Sequence, residues 1–556
     1  MKYKNVLFST RKSIAKAFSL VLKSVFMCYE TSYLPHSVNV NCPIFTMPRI
    51  TADGVRNILR SLEPSTSSDY DNISAQFLIK CADHISEPLA NLFNLSIDKG
   101  EYPAILKYDH VVPIYKRKGS KYDIDCYRGI TIQPIIAKIF EGFINRALRV
   151  HLKPLIIENQ HGFMKDKSCT SNLLYYTDFI TKSFDNKSQT HTIYTDFQKA
   201  FDVVPHHLLL HKLNMQFGIE NNMFKWFSSY LSNRFHRVVI DGISSEWYNV
   251  TSGVPQGSVL GPTLFLCYIN DIAHSIKYSQ FLLFADDTKL FKDIKSYDDC
   301  TLLQDDIDCL LEWCRTWHMK LNIDKCAFMN FTLKRSRDIV TNYFIDDIAL
   351  DRCYEMKDLG VYFSPNLCFN NHINKITSKA RQMLGFLKRV TDEFTNPKTL
   401  RILYYSLVRS RLEYCSQVWS PSSVNMIIKI ERVQKYFLKY LSFKQCVFYN
   451  DYDYQSLCSV FNMQSLESRR NITDLRYLNK ILTNHVDCSY LVGEISLSVP
   501  RVLRAKPTFA VQYRLLCRKT SFFPRVFLMA NRRNLYDDLI MNEPDDFKRL
   551  LLDLLN

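Results

Sequence analysis

Two short apolar segments on either side of a pair of aspartates constrain the fold of this chain more than any other feature. Phe281–Phe284 and Thr288–Phe291 are predicted strands, and Ala285-Asp286-Asp287 lies between them. This spacing predicts a β-hairpin with both carboxylates at its tip. Adjacent carboxylates repel each other unless water or a cation screens them, so the tip is a candidate site for a divalent metal ion. A polar β-turn has the same composition, and the tip alone does not decide between the two.

A further carboxylate, Asp196, follows the predicted strand Thr192–Thr195. A carboxylate at a strand end beside the hairpin tip would complete a two-metal site. Such a site holds its ions ~3.5–4 Å apart and stabilises the attacking and leaving oxygens of a phosphoryl transfer. The alternative for Asp196 is an N-cap for the helix that follows.

The third informative segment, Ser252–Pro262, contains three of the chain's 14 glycines within nine residues. Glycine lets the backbone approach a ligand closely, and the Gln256 side chain can donate a hydrogen bond to a base or a sugar. The segment has neither the spacing nor the lysine of a Walker-type phosphate loop. Its alternative is a tight loop that leads into a helix at Leu264.

In this order, the three segments closely resemble the palm of non-LTR (LINE-type, jockey-like) retrotransposon reverse transcriptases. The motifs are Asp-Phe-x-Lys-Ala-Phe-Asp from Asp196, Gly-Val-Pro-Gln-Gly-Ser-Val-Leu-Gly-Pro from Gly253, and Phe-Ala-Asp-Asp from Phe284. The resemblance covers roughly residues 50–480. Further matching segments are His110–Lys116, Tyr127–Thr131, Gln160–Phe163, Leu321–Lys325 and, on the thumb side, Tyr404–Trp419.

The expected fold class is α+β. Mixed helices and short strands in the middle of the chain, followed by basic helices, indicate an α+β core with an appended bundle. The resemblance implies a right-hand polymerase, with fingers, a palm built on a small antiparallel sheet, a helical thumb and a helical C-terminal extension. The expected domains are a linker remnant (1–45), an N-terminal helical extension of the polymerase (46–108), fingers and palm (97–363), a basic helical thumb (371–445) and a C-terminal region of unknown role (446–556).

The resemblance also implies roles for single residues. Asp196 and Asp286 would be the principal ligands of Mg²⁺, for which Mn²⁺ would substitute, and Asp287 would support them. Lys325 would protonate the leaving pyrophosphate, and Phe201 would exclude a ribose 2′-OH. The residues expected to bind the incoming nucleotide are Ala200, Phe201, Gln256, Gly257, Lys116 and Arg128. The alternatives are a core aromatic for Phe201 and solvated surface groups for Lys116, Arg128 and Lys325.

The charge distribution adds a candidate nucleic-acid-binding region. The chain has a net charge of +16, and residues 371–445 contain 14 Lys or Arg against 4 Asp or Glu. Such a surplus favours binding to a polyanion, although a solvated helix surface carries the same charges. An RNA template and a DNA primer or target DNA would be held mainly through their phosphates. The expected contacts are Lys375, Lys379, Arg381, Arg401, Arg409 and Arg411.

Zinc-binding and membrane-spanning proteins are disfavoured. None of the 17 cysteines stands in a Cys-x-x-Cys pair. Cys267, Cys326 and Cys415 are predicted to be buried hydrophobes, which fits a reducing intracellular compartment. The stretch Ile14–Met27 includes two lysines, so it is predicted to be an amphipathic helix rather than a membrane span. We expect an intracellular ribonucleoprotein in the nucleus or the cytoplasm.

Two positions depart from the family pattern. Met164 follows Gly162-Phe163 where the family usually has arginine, and Gly129 follows Tyr127-Arg128 where it usually has proline. The loss of a guanidinium in the fingers is expected to weaken nucleotide binding, and both changes are compatible with a partly decayed copy.

The sequence therefore predicts an RNA-directed DNA polymerase that uses dNTPs. The family's apurinic-type endonuclease domain is not recognisable, so an endonuclease on another chain is expected to supply the nick. Three alternatives stay open: a decayed or domesticated copy that only binds nucleic acid, a structural nucleic-acid-binding module, and an RNA polymerase that shares the palm. The bulky Phe201 disfavours the last of these.

Overall fold

The computed structural model describes residues 1–3, 6–27, 35, 42–65, 71, 73–333, 338–447, 453–498 and 508–554. Parts of the predicted linker (28–34 and 36–41) and of the C-terminal region (448–452, 499–507 and 555–556) lie outside the described residues. The strands are β1 (Lys2–Tyr3), β2 (Val6–Leu7), β3 (Tyr108–Tyr115), β4 (Tyr127–Ile132), β5 (Gln189–Thr195), β6 (Arg234–Ile240), β7 (Ile243–Ser244), β8 (Tyr248–Val250), β9 (Gln280–Phe284), β10 (Asp287–Ile294), β11 (Ala327–Phe331), β12 (Phe344–Ile345), β13 (Ile348–Ala349), β14 (Met356–Asp358), β15 (Val361–Phe363), β16 (Leu497–Ser498) and β17 (Thr508–Phe509).

Most of the chain's regular elements are helices. Up to residue 316 they are α1 (Arg11–Lys23), α2 (Ala52–Ser61), α3 (Ala75–Lys80), α4 (Ala82–Lys99), α5 (Ile135–Leu152), α6 (Cys169–Asp185), α7 (Ala200–Val203), α8 (His206–Phe217), α9 (Asn221–Leu231), α10 (Gly261–Ile269) and α11 (Tyr297–Thr316). After the last strand of the central region they are α12 (Asn370–Val390), α13 (Pro397–Tyr404), α14 (Ser410–Glu413), α15 (Ser416–Trp419), α16 (Val424–Lys444), α17 (Tyr454–Val460), α18 (Leu466–Leu482), α19 (Ser489–Gly493), α20 (Leu516–Thr520), α21 (Phe522–Arg532), α22 (Tyr536–Met541) and α23 (Pro544–Leu554).

A four-stranded antiparallel sheet in the order β11-β5-β10-β9 forms the centre of the molecule. Because successive side chains of a strand point to opposite faces, the sheet serves two cores. β5 contributes Ile193 to the first core and Tyr194 to the second, and β10 contributes Leu290 and Phe291 in the same way. Both faces are covered, which explains why Phe281–Phe284 of β9 and the pair Leu290 and Phe291 of β10 are apolar on both faces of the sheet. Together with the helices, this sheet confirms the expected α+β fold.

The first core lies between one face of the central sheet and the helices α2, α4, α5 and α8 to α11. It is rich in aromatic rings: Phe93 stacks on Phe140 with 4.4 Å between ring centroids, and Trp226 packs edge-on against Phe140. Cys267 is buried in the same core, as expected from its apolar context. These helices give the central sheet a rigid support.

A second sheet, in the order β4-β3-β6-β7 with β8 paired to β6, lies beside the central one. The amphipathic helix expected near the N-terminus is confirmed as α1, which begins after the N-cap Thr10 and covers this sheet. Its Ala17 and Phe18 share a small core with Val111 and Val238. Within the described residues, no helix is both long and apolar enough to cross a bilayer.

The second core joins the basic helices after residue 369 to the C-terminal helices and to α6. The buried guanidinium of Arg518, on α20, pairs with the Asp178 carboxylate on α6. Arg525, on α21, pairs with the fully buried Asp474 on α18 at 2.9 Å. The expected thumb and the C-terminal region therefore pack as one body against the central sheet.

Two helical segments depart from a regular α-helix that follows the apolar pattern of the sequence. The apolar period between Leu303 and Leu321 predicts one helix, but α11 ends at Thr316, and Leu321 instead forms a β-bridge with Phe197. The period continues past the helix end because Leu321 stays buried in the same core.

The buried positions 400, 404, 408 and 412 are spaced by four residues, which exceeds the 3.6 residues of an α-helical turn. A π-helical turn at Tyr405–Arg409 separates α13 from α14 and widens the helix at this point. The wider turn keeps the four side chains on one face.

Candidate active site

The tip of the β9–β10 hairpin carries the two adjacent aspartates. Asp287 pairs with Phe284 across the hairpin, which leaves Ala285 and Asp286 in the connecting turn. Ala285 has φ 58°, a left-handed conformation that non-glycine residues seldom adopt. The turn is packed tightly from below, because a Cβ on Gly162 would lie 2.2 Å from the Ala285 nitrogen. Glycine is therefore required at position 162.

Asp196 comes directly after β5 and lies next to the hairpin. Thr195 is opposite Thr288 in the antiparallel register, so Asp196 lies alongside Asp287 at the same end of the sheet. The Asp196 carbonyl accepts a hydrogen bond from the Asn322 nitrogen at 2.7 Å, which holds the strand end against the Lys325 loop. Lys325 Nζ lies 2.6 Å from Asp196 Oδ2. The structure thus brings the four residues predicted to carry the chemistry into one place.

The carboxylates at the hairpin tip are electrostatically crowded. Burial raises the pKa of Asp286 above its ordinary value, and the nearby Asp196 charge raises it further. Burial, followed by the charges of Asp286, Asp358 and Asp196, raises the pKa of Asp287 to about 6. A positive charge among these groups would relieve the repulsion.

A cavity of about 180 Å³ opens beside these side chains. Its lining includes Asp196, Asp287 and Lys325, together with the stretch 356–359 at β14. Among the residues that the structure describes, no group of three or more His, Cys, Asp or Glu side chains is arranged so that it could hold a metal ion. Asp196 and Asp287 instead face an open space that other ligands can share.

The residues predicted to bind a nucleotide lie on neighbouring elements. The Phe201 ring stacks on Phe265 with 4.3 Å between centroids, and its neighbour Ala200 is buried in the first core. Gln256 donates a hydrogen bond from Nε2 to Asp202 Oδ1 at 2.9 Å. This bond joins the glycine-rich loop to the segment that follows Asp196.

The glycine-rich loop lies directly on β4, the strand that carries Arg128. The Gln256 carbonyl accepts from the Thr131 nitrogen at 2.8 Å, and a Cβ on Gly257 would lie 2.3 Å from the Thr131 oxygen. Gly257 has φ 119°, which favours glycine for a second reason. Lys116, at the end of β3, donates to the Asp125 carbonyl at 3.0 Å.

The positive charges of these fingers-side residues act on the pKa of Asp202, a residue to which the sequence assigned no role. Burial raises the pKa of Asp202 to about 6, while the Gln256 hydrogen bond and the positive charges of Lys199, Arg128 and Lys116 oppose that rise. Asp202 is the last residue of the motif that begins at Asp196, and this position was its only signal in the sequence.

Two further supporting residues were not predicted. Glu141, fully buried on α5, accepts hydrogen bonds at Oε2 from the nitrogens of Val259 and Leu260, at 3.0 and 3.2 Å, and so fixes the end of the glycine-rich loop. Gln160 holds the hairpin turn through the Ala285 backbone. The motif around Gln160 was noticed, but nothing in the sequence shows which atoms it contacts.

Three of the six predicted nucleic-acid contacts share a second cavity, of about 350 Å³, lined by Lys375, Lys379 and Arg411. The Tyr362 ring lies among three lysines there. Lys375 Nζ is 4.0 Å from the ring centroid, and the Nζ atoms of Lys357 and Lys379 are each 5.9 Å away. Lys375 also pairs with Glu355. This cluster is therefore a basic site with an aromatic ring among its lysines.

The other three predicted contacts lie outside this cavity and have contacts within the protein. Arg381 lies 5.9 Å from the Tyr436 ring centroid, and Arg401 donates to the Phe461 carbonyl at 3.0 Å. Arg409 stacks 3.5 Å above Tyr405 and pairs with Glu413.

Comparison with known proteins identifies a family for the central region. Residues 115–386 match the family described as reverse transcriptase (RNA-dependent DNA polymerase). The matched range includes both predicted halves of the metal site, the glycine-rich loop and the Lys325 loop.

Curated relatives extend the similarity beyond this range. The RNA-directed DNA polymerase from mobile element jockey of Drosophila melanogaster is 26% identical over 423 residues, which cover 74% of this chain and 45% of that protein. The probable RNA-directed DNA polymerase from transposon BS, from the same fly, is 23% identical over 470 residues, which cover 82% of this chain and 50% of that protein. The chain thus spans about half the length, or less, of these relatives.

Among solved structures, apo telomerase from Candida Tropicalis is similar at 13% identity and a TM-score of 0.39, over 73% of this chain and 67% of that one.

Proposed function

Since residues 115–386 of this chain match the reverse transcriptase family, and its curated relatives include the polymerases from mobile element jockey and transposon BS, we propose that the protein is an RNA-directed DNA polymerase of the non-LTR retrotransposon type. The match to the reverse transcriptase family supports the right-hand polymerase fold expected from the sequence. In the proposed reaction, the 3′-OH of a primer attacks the α-phosphate of a dNTP that is selected by an RNA template, and pyrophosphate leaves.

One observation carries the proposal: Asp196 and Asp287 line a single open cavity although they are about ninety residues apart in the sequence, and Asp286 precedes Asp287 at the hairpin tip. The segment with Phe201 follows the same strand end directly. The glycine-rich loop is joined to that segment by the hydrogen bond from Gln256 to Asp202. A structural turn would have no need for this convergence of carboxylates, whose mutual repulsion is unfavourable.

The donor set at the cavity fits a divalent metal ion. Carboxylate oxygens are preferred ligands of Mg²⁺, which usually takes one or two from the protein and completes its shell with water and substrate phosphates. We assign Asp196 and Asp286 as the principal ligands of Mg²⁺ or Mn²⁺, with Asp287 in support. Such an ion, when bound, would lower the pKa of the primer 3′-OH and neutralise charge on the phosphates.

The protein's own groups would orient and discriminate the substrates. Phe201, fixed by its stacking on Phe265, would form the wall against a ribose 2′-OH. Gln256 and Gly257 would line the nucleotide, with Lys116 and Arg128 on the fingers side. The Lys325 side chain is 60% exposed, so it has room to turn from Asp196 and give a proton to the leaving pyrophosphate.

The basic cavity around Tyr362 would hold the backbone of the template–primer duplex. Lys375, Lys379 and Arg411 present their charges toward one space, as recognition of phosphates requires. An enzyme that stays bound to the RNA it copies would act as a ribonucleoprotein in the nucleus or the cytoplasm.

The departures from the family pattern have structural reasons that support an active enzyme over a decayed copy. The Arg149 guanidinium on α5 donates to the Phe163 carbonyl, so a guanidinium reaches this loop although position 164 is methionine. A Cβ on Gly129 would lie 2.9 Å from Val111 and 3.1 Å from Leu22, so helix α1 packs where a larger residue would collide.

The experiment that tests this function is primer extension on poly(rA)–oligo(dT) with dTTP and Mg²⁺. We expect extension by the wild type and a loss of at least about a thousandfold in Asp286→Asn. Asp305→Asn, on the exposed face of α11, is the matched control and should retain wild-type activity. A wild type that folds but extends no primer with Mg²⁺ or Mn²⁺ would favour a copy that only binds nucleic acid.

A further inference from the structure

A buried ion pair joins the aspartate-bearing strand to a second hairpin. Lys289, on β10, donates from Nζ to Asp358 Oδ2 at the end of β14. The two side chains are only 5% and 9% exposed. Lys289 stands two residues after Asp287, so both side chains point to the same face of the sheet. Among the ion pairs of β10, this one is therefore the closest to the hairpin tip.

The lysine is fixed from its other side by aromatic groups. Lys289 Nζ lies 4.5 Å from the centroid of the Tyr176 ring on α6, within the range of a cation–π contact. The Tyr176 hydroxyl is hydrogen-bonded at 2.8 Å to both Thr192 Oγ1 and the Tyr194 hydroxyl on β5. The ammonium group is thus held in one position relative to the strand that ends at Asp196.

The hairpin that carries Asp358 also lines the aspartate cavity. Residues 356–359 line it together with Asp196 and Asp287. After Asp358 the chain turns sharply through Leu359 and Gly360, which have φ 41° and 90°. The Leu359 carbonyl accepts a hydrogen bond from the Tyr414 hydroxyl at 2.9 Å, which ties the turn to the helices of the second core.

We propose that Lys289 and Asp358 are positioning residues, which hold the β14–β15 hairpin in register with the catalytic aspartates and so fix the place of the primer terminus in the cavity. This inference rests on the proposed polymerase function, because it concerns the primer terminus, which would lie in the cavity lined by the aspartates and the β14–β15 hairpin. Both side chains also line the cavity, and the role assigned to the pair is to act through the hairpin.

Folding stability alone does not account for such a pair. Removing two charges from water costs as much as their attraction returns, so a buried ion pair commonly stabilises a fold no better than two apolar side chains of similar size. A charged hydrogen bond differs in being directional, and it sets the distance between the two elements that it joins. Displacements of about 1 Å at a reacting group can lower a rate about a hundredfold.

The first test compares Lys289→Met with Lys292→Met in the primer-extension assay. Lys292 lies on the same strand, but its Nζ donates to the Tyr278 carbonyl at 3.1 Å and does not line the cavity. We expect kcat to fall between about tenfold and a hundredfold in Lys289→Met and to stay near wild type in Lys292→Met. The KM for dTTP should change less than about twofold, because the residues predicted to bind the nucleotide lie on α7, on β4, directly after β3 and in the glycine-rich loop, and none lies on β10 or β14. Lys289→Arg should retain most of the activity, since it keeps the cation.

A double variant separates positioning from stability. Lys289→Met alone leaves Asp358 as a buried, unpaired charge, so its Tm should fall, whereas Lys289→Met/Asp358→Leu replaces the pair by apolar groups and should recover that Tm. We expect kcat to stay low in the double variant, because an apolar contact does not fix the register. Recovery of kcat together with Tm would overturn the inference, as would an unchanged kcat in Lys289→Met. In both of those outcomes the wild type would still extend the primer, so the proposed polymerase function would stand. Only a wild type that extends no primer would contradict the polymerase function as well.

Discussion

Gln160 and Ala285 are joined in both directions by one side-chain amide. Gln160 Oε1 accepts a hydrogen bond from the Ala285 nitrogen at 2.9 Å, and Gln160 Nε2 donates to the Ala285 oxygen at 3.3 Å. The amide is 1% exposed. It therefore compensates both backbone groups of a turn residue whose left-handed conformation is unfavourable.

Replacing this amide should impair the hairpin tip. In Gln160→Ala the buried Ala285 nitrogen loses its partner, so we expect a destabilisation of about 1–3 kcal/mol and a kcat at least about tenfold below wild type. Gln304 makes the same two-way contact with the backbone of Phe344, at 3.0 Å in each direction, but far from the cavity. Gln304→Ala is the control. Equal losses of kcat in both variants would show that the contact between Gln160 and Ala285 has no particular effect on the candidate site.

Phe201 is predicted to reject ribonucleotides. Phe201→Ala would remove the ring that stacks on Phe265 and open space beside the sugar, so UTP incorporation relative to dTTP should rise at least about tenfold. The measurement is the ratio of kcat/KM values for the two nucleotides on poly(rA)–oligo(dT). Phe265→Leu, which keeps Phe201 but loosens its packing, should raise the ratio less. An unchanged ratio in Phe201→Ala would remove the gate role from this residue.

The requirement for Mg²⁺ should depend on pH in one direction. The pKa of Asp287 is raised to about 6 and that of Asp286 is raised as well, so protons compete with the metal ion more strongly as the pH falls toward 6. We expect the Mg²⁺ concentration for half-maximal extension to increase between pH 8 and pH 6, with an unchanged maximal rate at saturating Mg²⁺ in the upper half of this range. A half-maximal concentration that does not change over this interval would contradict the crowded-carboxylate description.

The C-terminal helices are expected to be required for stability. Arg525→Met would leave the Asp474 carboxylate, which is fully buried, without its ion pair, and this should cost about 3–5 kcal/mol. Arg549 pairs with Asp546 at 3.2 Å on an exposed helix face, so Arg549→Met should cost less than about 1 kcal/mol. Thermal unfolding of both variants measures the difference. Similar small changes in Tm would indicate that the region after residue 446 is not part of the second core.

The sequence predicted the elements of the active site better than their arrangement. Local patterns were sufficient for the hairpin and for Asp196, because strand runs and turn residues are encoded within a few positions. The supporting contacts join distant segments: Gln160 to Ala285 across 125 positions, Glu141 to Val259 across 118, and Lys289 to Asp358 across 69. No periodicity marks such contacts, since each depends on how the sheet and its helices pack.

The basic region shows the same limit. Charge counting identified residues 371–445, but it could not distinguish Lys379 and Arg411, which line the cavity around Tyr362, from Arg401, which donates to a carbonyl within the protein. A helical period predicts which side chains point away from the core, but the neighbouring elements determine what those side chains contact.

The central claim is that Asp196, together with the hairpin aspartates, carries a metal-dependent transfer of a deoxynucleotide onto a primer paired with RNA. Single-nucleotide incorporation of dTTP on poly(rA)–oligo(dT), titrated with Mg²⁺ for the wild type and Asp196→Asn, tests it most directly. We predict saturable Mg²⁺-dependent incorporation by the wild type and a rate at least about a thousandfold lower in Asp196→Asn at every Mg²⁺ concentration. Undiminished incorporation by Asp196→Asn, or none by a folded wild type across the titration, would contradict it.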